Sequence, residues 1–95
     1  MPRITVRLHG AFRGFAGGAK SVTVDASDVA GALAGLVVAY PELAERLRDE
    51  HGKLRSHVQL FANAEDVRRA EGERTTLAEG DMLEIVPAVS GGRDG

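Results

Sequence analysis

Cysteine and tryptophan are both absent from this 95-residue chain. Without cysteine there is no disulfide framework, no thiolate zinc site, no iron–sulfur cluster and no thiol nucleophile. Its absence by itself says nothing about compartment. Aromatic residues make up only 4% of the chain, too few for a platform on which bases stack. The formal net charge of -2 lacks the basic excess of a nucleic-acid binder. No apolar run approaches the length of a membrane span, and the opening "MPRITVRLHG" has no signal-peptide core. These absences predict a cytoplasmic protein with neither nucleic acid nor membrane as partner.

What is present suffices for a fold. Hydrophobic residues are 43% and charged residues 27%, the balance of one small globular domain. Residues 3–8, "RITVRL", alternate, with Ile4, Val6 and Leu8 on one face. "SVTVD" (21–25) alternates again, so 3–25 reads as a β-hairpin whose connection, the glycine-rich 9–20, is a loop. Phe12 and Phe15 are expected to fold back over the core edge. Ser27 or Asp28 can cap a helix in which Val29, Leu33, Leu36, Val37 and Tyr40 share one face. Gly31 and Gly35 would let it approach a sheet, and Pro41 should end it. "PELAERLRDE" (41–50) predicts a second helix, with i,i+4 pairs Glu42–Arg46 and Arg46–Glu50 on a wet face. A strand over 57–63, a turn at "NAED", short extended pieces at "VRR" and "TTL", a tight turn at "AEGD" and a last strand over 82–89 follow. Pro87 should stop regular pairing.

Strands with one apolar face and a helix with one apolar face are buried most economically as one sheet with the helix across it. A right-handed crossover then sets the first and last long strands parallel at the centre. The predicted class is α+β, a β-grasp or ubiquitin-like roll: a mixed sheet of 4–5 strands with one main helix. The β-grasp domain is assigned to residues 1–89, and a flexible tail to 90–95.

Side-chain chemistry is sparse. His9, His51 and His57 have no spaced partner for a metal site and read as surface or loop residues. "FAGGAK" lacks the spacing of a phosphate-binding loop. No serine has an evident base partner. The remaining feature is the end, "PAVSGGRDG", where Gly91 and Gly92 follow directly on the last predicted strand.

The stretch "LAEGDMLEIVPAVSGG" (77–92) resembles the ThiS/MoaD sulfur carriers, ubiquitin-like proteins that end in Gly-Gly. Together with "FANAEDVR" (61–68) it is especially similar to the CysO-type carriers of cysteine biosynthesis, while the first 50 residues match by pattern rather than by motif. The resemblance implies a carrier that binds no cofactor and is not itself an enzyme. An E1-like enzyme, using ATP and magnesium, would turn the carboxylate of Gly92 into an acyl-adenylate. A sulfur donor would displace AMP and leave a thiocarboxylate, which a sulfur-acceptor biosynthetic enzyme would consume. Gly91 and Gly92, without Cβ, suit threading into a narrow site.

The folded body would dock through the sheet face away from the helix, where strand parity places Gln59, Phe61, Glu84 and Val86, with Arg7 nearby. Isolated exposed apolar residues would look the same at Phe61 and Val86. A free tail and an open face predict a monomer.

The chain departs from the family pattern in continuing past Gly92 as Arg93, Asp94 and Gly95. An amide to Arg93 cannot be adenylated, so the chain reads as a precursor cleaved between Gly92 and Arg93 by a JAMM-type zinc metallopeptidase. A permanent extension is the competing case. Three functions stay open: a sulfur carrier, a ubiquitin-like modifier conjugated through Gly92, and a β-grasp binding module with no activated end.

Overall fold

The computed structural model describes residues 1–88. β1 (Arg3–Leu8) and β2 (Ser21–Asp25) pair antiparallel, from Arg3 opposite Asp25 to Arg7 opposite Ser21. Ile4, Val6 and Leu8 are completely buried while Arg3 and Arg7 are exposed, so the alternation in sequence separates the two faces of the sheet. α1 (Val29–Ala39) starts at Asp28, whose carboxylate accepts the Gly31 N–H at 2.7 Å. That bond satisfies one of the free donors of the first turn. Val29, Ala32, Leu33 and Leu36 face the core. At Gly35 an added methyl would lie 3.4 Å from Val24 Cβ, which shows how close α1 runs to β2. α1 ends at Tyr40, before Pro41, and α2 (Leu43–Leu47) buries Leu43 and Leu47.

β3 (Val58–Ala62), β4 (Glu65–Asp66) and β5 (Met82–Pro87) complete a five-stranded sheet of order β2-β1-β5-β3-β4. β1 and β5 are the parallel pair at its centre, and the other pairs are antiparallel. Leu83 and Ile85 of β5 and Val58 and Leu60 of β3 join the buried side chains of β1 and α1 in one core. Each fully buried Leu or Ile contributes about 1.5–3 kcal/mol over exposure. This is the β-grasp roll expected from the sequence.

Local features differ from the sequence expectations, each for an identifiable reason. The segment 9–20 is not all loop: Gly10–Ala16 forms a 3-10 helix, held by burial of Phe12 and Ala16. "VRR" is not a return strand. β4 is the return strand, and Val67–Arg69 turns into a 3-10 helix because the Asp66 carboxylate accepts the Arg68 N–H at 2.9 Å. α2 stops at Leu47, so Arg46 and Glu50 never share a helical face. Neither Glu42–Arg46 nor Arg46–Glu50 forms an ion pair among the described residues. The chain instead folds back on itself, with the Asp49 carboxylate accepting the N–H groups of His51 and Lys53. Arg48, next in line, reaches Glu73. β5 ends at Pro87, where the proline was expected to stop regular pairing, and Val89 lies outside the described residues.

Candidate functional site

The register of the sheet sets side chains of one parity in a continuous row across the face opposite α1. Ser21 lies opposite Arg7, Arg7 opposite Glu84, Glu84 opposite Phe61, and Phe61 opposite Asp66. Val86 lies opposite Gln59 in the next same-face row. All four residues predicted for the docking face, Arg7, Gln59, Phe61 and Val86, therefore share it. Phe61 and Val86 are diagonal neighbours, within reach of one another. Both are half-buried, as are Gln59 and Glu84, whereas Arg7 is exposed. Two apolar side chains thus sit in a frame of Arg7, Glu84 and Gln59.

Charge at the β4 edge of this face is fixed by one pair. The Arg68 guanidinium hydrogen-bonds the Asp66 carboxylate, with Nη2–Oδ2 at 2.7 Å. That hydrogen bond first, and the Arg68 backbone N–H second, hold the Asp66 carboxyl down at about 2. Asp66 is therefore anionic throughout the physiological range. Elsewhere, the Glu73 carboxylate raises the Arg48 guanidinium above its ordinary value, chiefly by hydrogen bonding.

The far end of β5 is where the chain leaves the sheet. His9 N–H donates to the Ile85 carbonyl at 3.1 Å, and Ala88 N–H donates to the His57 carbonyl. Pro87 lies between these bonds, and its ring rests against the backbone of Gly10. Gly10 has φ +60°, and a Cβ there would lie 2.8 Å from Pro87 Cγ. The 3-10 segment that the sequence did not announce thus braces the exit of the last strand. The His9 ring reaches back toward the sheet, with Nε2 3.8 Å from Glu84 Oε1. That nitrogen is enclosed and has no hydrogen-bond partner among the described residues. On the α2 side, the His57 ring stacks on Phe12 with centroids 6.2 Å apart, and the Arg46 guanidinium lies 4.3 Å above the Phe15 ring. His9 was read as a surface or loop residue. Its position is set by pairing across β5, a contact without a sequence signal.

Gly91, Gly92 and Arg93, the proposed working terminus and cleavage point, lie outside the described residues. Among the described residues no group of three His, Cys, Asp or Glu side chains is placed to hold a metal ion. No helix among them is long and apolar enough to cross a membrane.

The chain resembles known proteins over nearly all of its length. It is 37% identical over 91 residues to the sulfur carrier protein CysO of Mycobacterium tuberculosis, covering 94% of this chain and 98% of that one. The crystal structure of the Amycolatopsis orientalis BexX/CysO complex contains a chain that superposes with a TM-score of 0.84 at 32% identity, covering 94% of this chain and 99% of that one. The crystal structure of SAMP1 from Haloferax volcanii superposes with a TM-score of 0.83 at 31% identity, covering 95% and 99%. The ThiS family model matches residues 6–92, a span that runs from the first strand through the diglycine. The chain belongs to the ThiS family.

Proposed function

We propose that this chain is a sulfur carrier whose working group is the C-terminal carboxyl of Gly92 once Arg93–Gly95 have been removed. The observation that carries the reading is the placement of Pro87 and Ala88. The last strand is pinned on both sides at its exit, and the ThiS family match continues from there through Gly92. The named function of the CysO relative supports sulfur as the cargo.

A carboxylate is a poor electrophile. An E1-like enzyme with ATP and magnesium joins it to AMP and releases pyrophosphate. Sulfide equivalents from a donor attack the acyl carbon, AMP departs, and a thiocarboxylate remains. The sulfur then attacks an activated acceptor in a biosynthetic enzyme, and the carrier carboxylate is regenerated by hydrolysis. Sequestration of the tail costs ordering entropy, which the sheet face offsets by docking Phe61 and Val86 with Arg7 and Gln59 around them. That face meets the E1-like enzyme and the acceptor enzyme in turn, so the free carrier works as a cytoplasmic monomer. The solved BexX/CysO complex, in which a relative is paired with a second protein, supports such an arrangement. A JAMM-type metallopeptidase cuts between Gly92 and Arg93 first. The carrier binds no cofactor and catalyses no step itself.

Similarity to a small archaeal modifier supports a second reading, conjugation of Gly92 to lysines of other proteins. Intact mass of the protein isolated rapidly from its own cells separates the cases. A chain ending at Gly92, partly with one oxygen replaced by sulfur, is the expected result. Lysine conjugates without sulfur would favour the modifier, and a chain ending only at Gly95 would remove the carrier reading.

A further inference from the structure

The sheet face is one side of the molecule; the exit of the tail has another. Glu45 and Arg46 of α2, with Arg55 and His57 from the segment before β3, line a cleft of about 260 Å³. His57 is also the residue whose carbonyl takes the Ala88 N–H, so the cleft lies at the root of the tail. Arg3, Arg48 and Arg68 each meet a carboxylate, but Arg46 and Arg55 meet none among the described residues. Both are nonetheless held. Arg46 lies over Phe15, and Arg55 Nε donates to the Glu45 carbonyl at 2.6 Å. Their outward N–H groups remain available while part of the rotamer entropy of each side chain is already spent by these contacts.

Chain length fixes what must come near this cleft. From Ala88 to Gly92 an extended chain spans at most about 13–14 Å. Any enzyme that closes on the carboxyl of Gly92 therefore brings its surface close to residues 46, 55 and 57, whichever part of the sheet face it also covers. We propose that Arg46 and Arg55 form a second docking surface that receives carboxylate side chains at the mouth of the tail channel of the E1-like enzyme. Two guanidinium forks present paired donors that match carboxylate oxygens. The Glu45 side chain, on the same rim, disfavours an acidic group placed off register. Phe12 and Phe15 beneath His57 and Arg46 provide the stiff floor.

This inference rests on the adenylation of Gly92 proposed above. The test uses the chain ending at Gly92, ATP, magnesium and the E1-like enzyme of the same cell, with pyrophosphate release as the readout. Arg46→Gln and Arg55→Gln are measured singly and together. Each is expected to raise the KM for the carrier about threefold, and the pair about tenfold, with kcat within a factor of about two. Arg46→Lys should recover part of the Arg46→Gln loss, and salt should raise the KM of the parent more than that of the double variant. Both side chains are exposed, so thermal unfolding should stay near that of the parent. A double variant with unchanged KM and an unchanged salt response would overturn the second surface while leaving the carrier reading intact. Absence of pyrophosphate release with the parent chain would remove both.

Discussion

Gly10 offers the sharpest quantitative test of how the end of β5 is braced. Its φ of +60° lies in the left-handed region, and an added Cβ would lie 2.8 Å from Pro87 Cγ and 3.4 Å from Cδ. Gly17, at the other end of the same 3-10 segment, has φ +64° but nothing within 4 Å of an added Cβ. Gly17→Ala therefore measures the backbone cost alone, about 1 kcal/mol. Gly10→Ala carries that cost and must also open the Pro87 contact, an overpacking worth about 1–3 kcal/mol more. The total is about 2–4 kcal/mol, or a fall in Tm of at least about 8 °C for a domain of this size. Urea unfolding of both variants, combined with Pro87→Ala alone and with Gly10→Ala, completes the cycle. The proline substitution also restores a backbone N–H and loosens φ, but these effects appear in both arms and cancel. In the Pro87→Ala background the cost of Gly10→Ala should fall to about that of Gly17→Ala. Equal costs at Gly10 and Gly17 in the parent, or a Gly10→Ala cost that Pro87→Ala leaves untouched, would refute the brace.

The two-residue turn between β3 and β4 holds Asn63 at φ 51° and Ala64 at φ 72°. Ala64→Gly relieves the strain at a position with a Cβ and should stabilise the protein by about 0.5–1 kcal/mol, read from urea unfolding. Asn63 should not be changed likewise, since its side-chain oxygen accepts the Met82 N–H at 3.0 Å. The Asp66 carboxyl is depressed to about 2 by Arg68, so its stabilising contribution is complete above the ordinary carboxyl value near 3.8 and is lost as pH falls toward 2. Arg68→Gln should therefore lower stability at neutral pH and flatten the acid limb between about 4 and 2, measured by unfolding across that range. Phe61→Ala removes a half-buried ring from the proposed docking face. It should cost only about 1 kcal/mol of stability but raise the KM for adenylation at least about tenfold, and a KM within twofold of the parent would argue against that face.

The parts of the fold that were legible are those that depend on a residue's own face. Ile4, Val6 and Leu8 alternate with Arg3, Thr5 and Arg7, and burial follows that parity without reference to any partner strand. Ser27 and Asp28 announce the start of α1, and it is the short carboxylate of Asp28 that reaches the Gly31 N–H within the first turn. The parity of β3 and β5 likewise put Phe61 and Val86 on one face. Their diagonal placement required the register of the antiparallel β3–β5 pair, and the row from Ser21 to Asp66 required in addition that of the parallel β1–β5 pair, whose strands come from opposite ends of the chain. The 3-10 turn over Gly10–Ala16 was hidden for a related reason. Its glycines read as breakers, and what holds it is the ring of Phe12 against His57 and the burial of Ala16. Arg46 shows the same limit in reverse. Spacing assigned it to Glu42 and Glu50, but α2 ends after one more residue and the Phe15 ring takes the guanidinium instead.

Phe12 and Phe15 fold back over the core as their sequence suggested, but the partners they meet had no signal, and these contacts converge at one end of the sheet. His9, Gly10, Phe12 and Phe15 come from the first connection, Arg46 from α2, Arg55 and His57 from the approach to β3, and Pro87 and Ala88 from the exit of β5. They belong to a loop, a wet helix face and the ends of two strands that lie far apart in the chain, so no single window of sequence joins them. A flat strand face can be read one strand at a time, whereas the collar around the exit of a strand is assembled from several connections. For a protein whose chemistry is proposed to sit at its terminus, that collar is the part of the folded body nearest the reaction. The residues with most influence on how the tail is presented are therefore those with the weakest signal in the sequence.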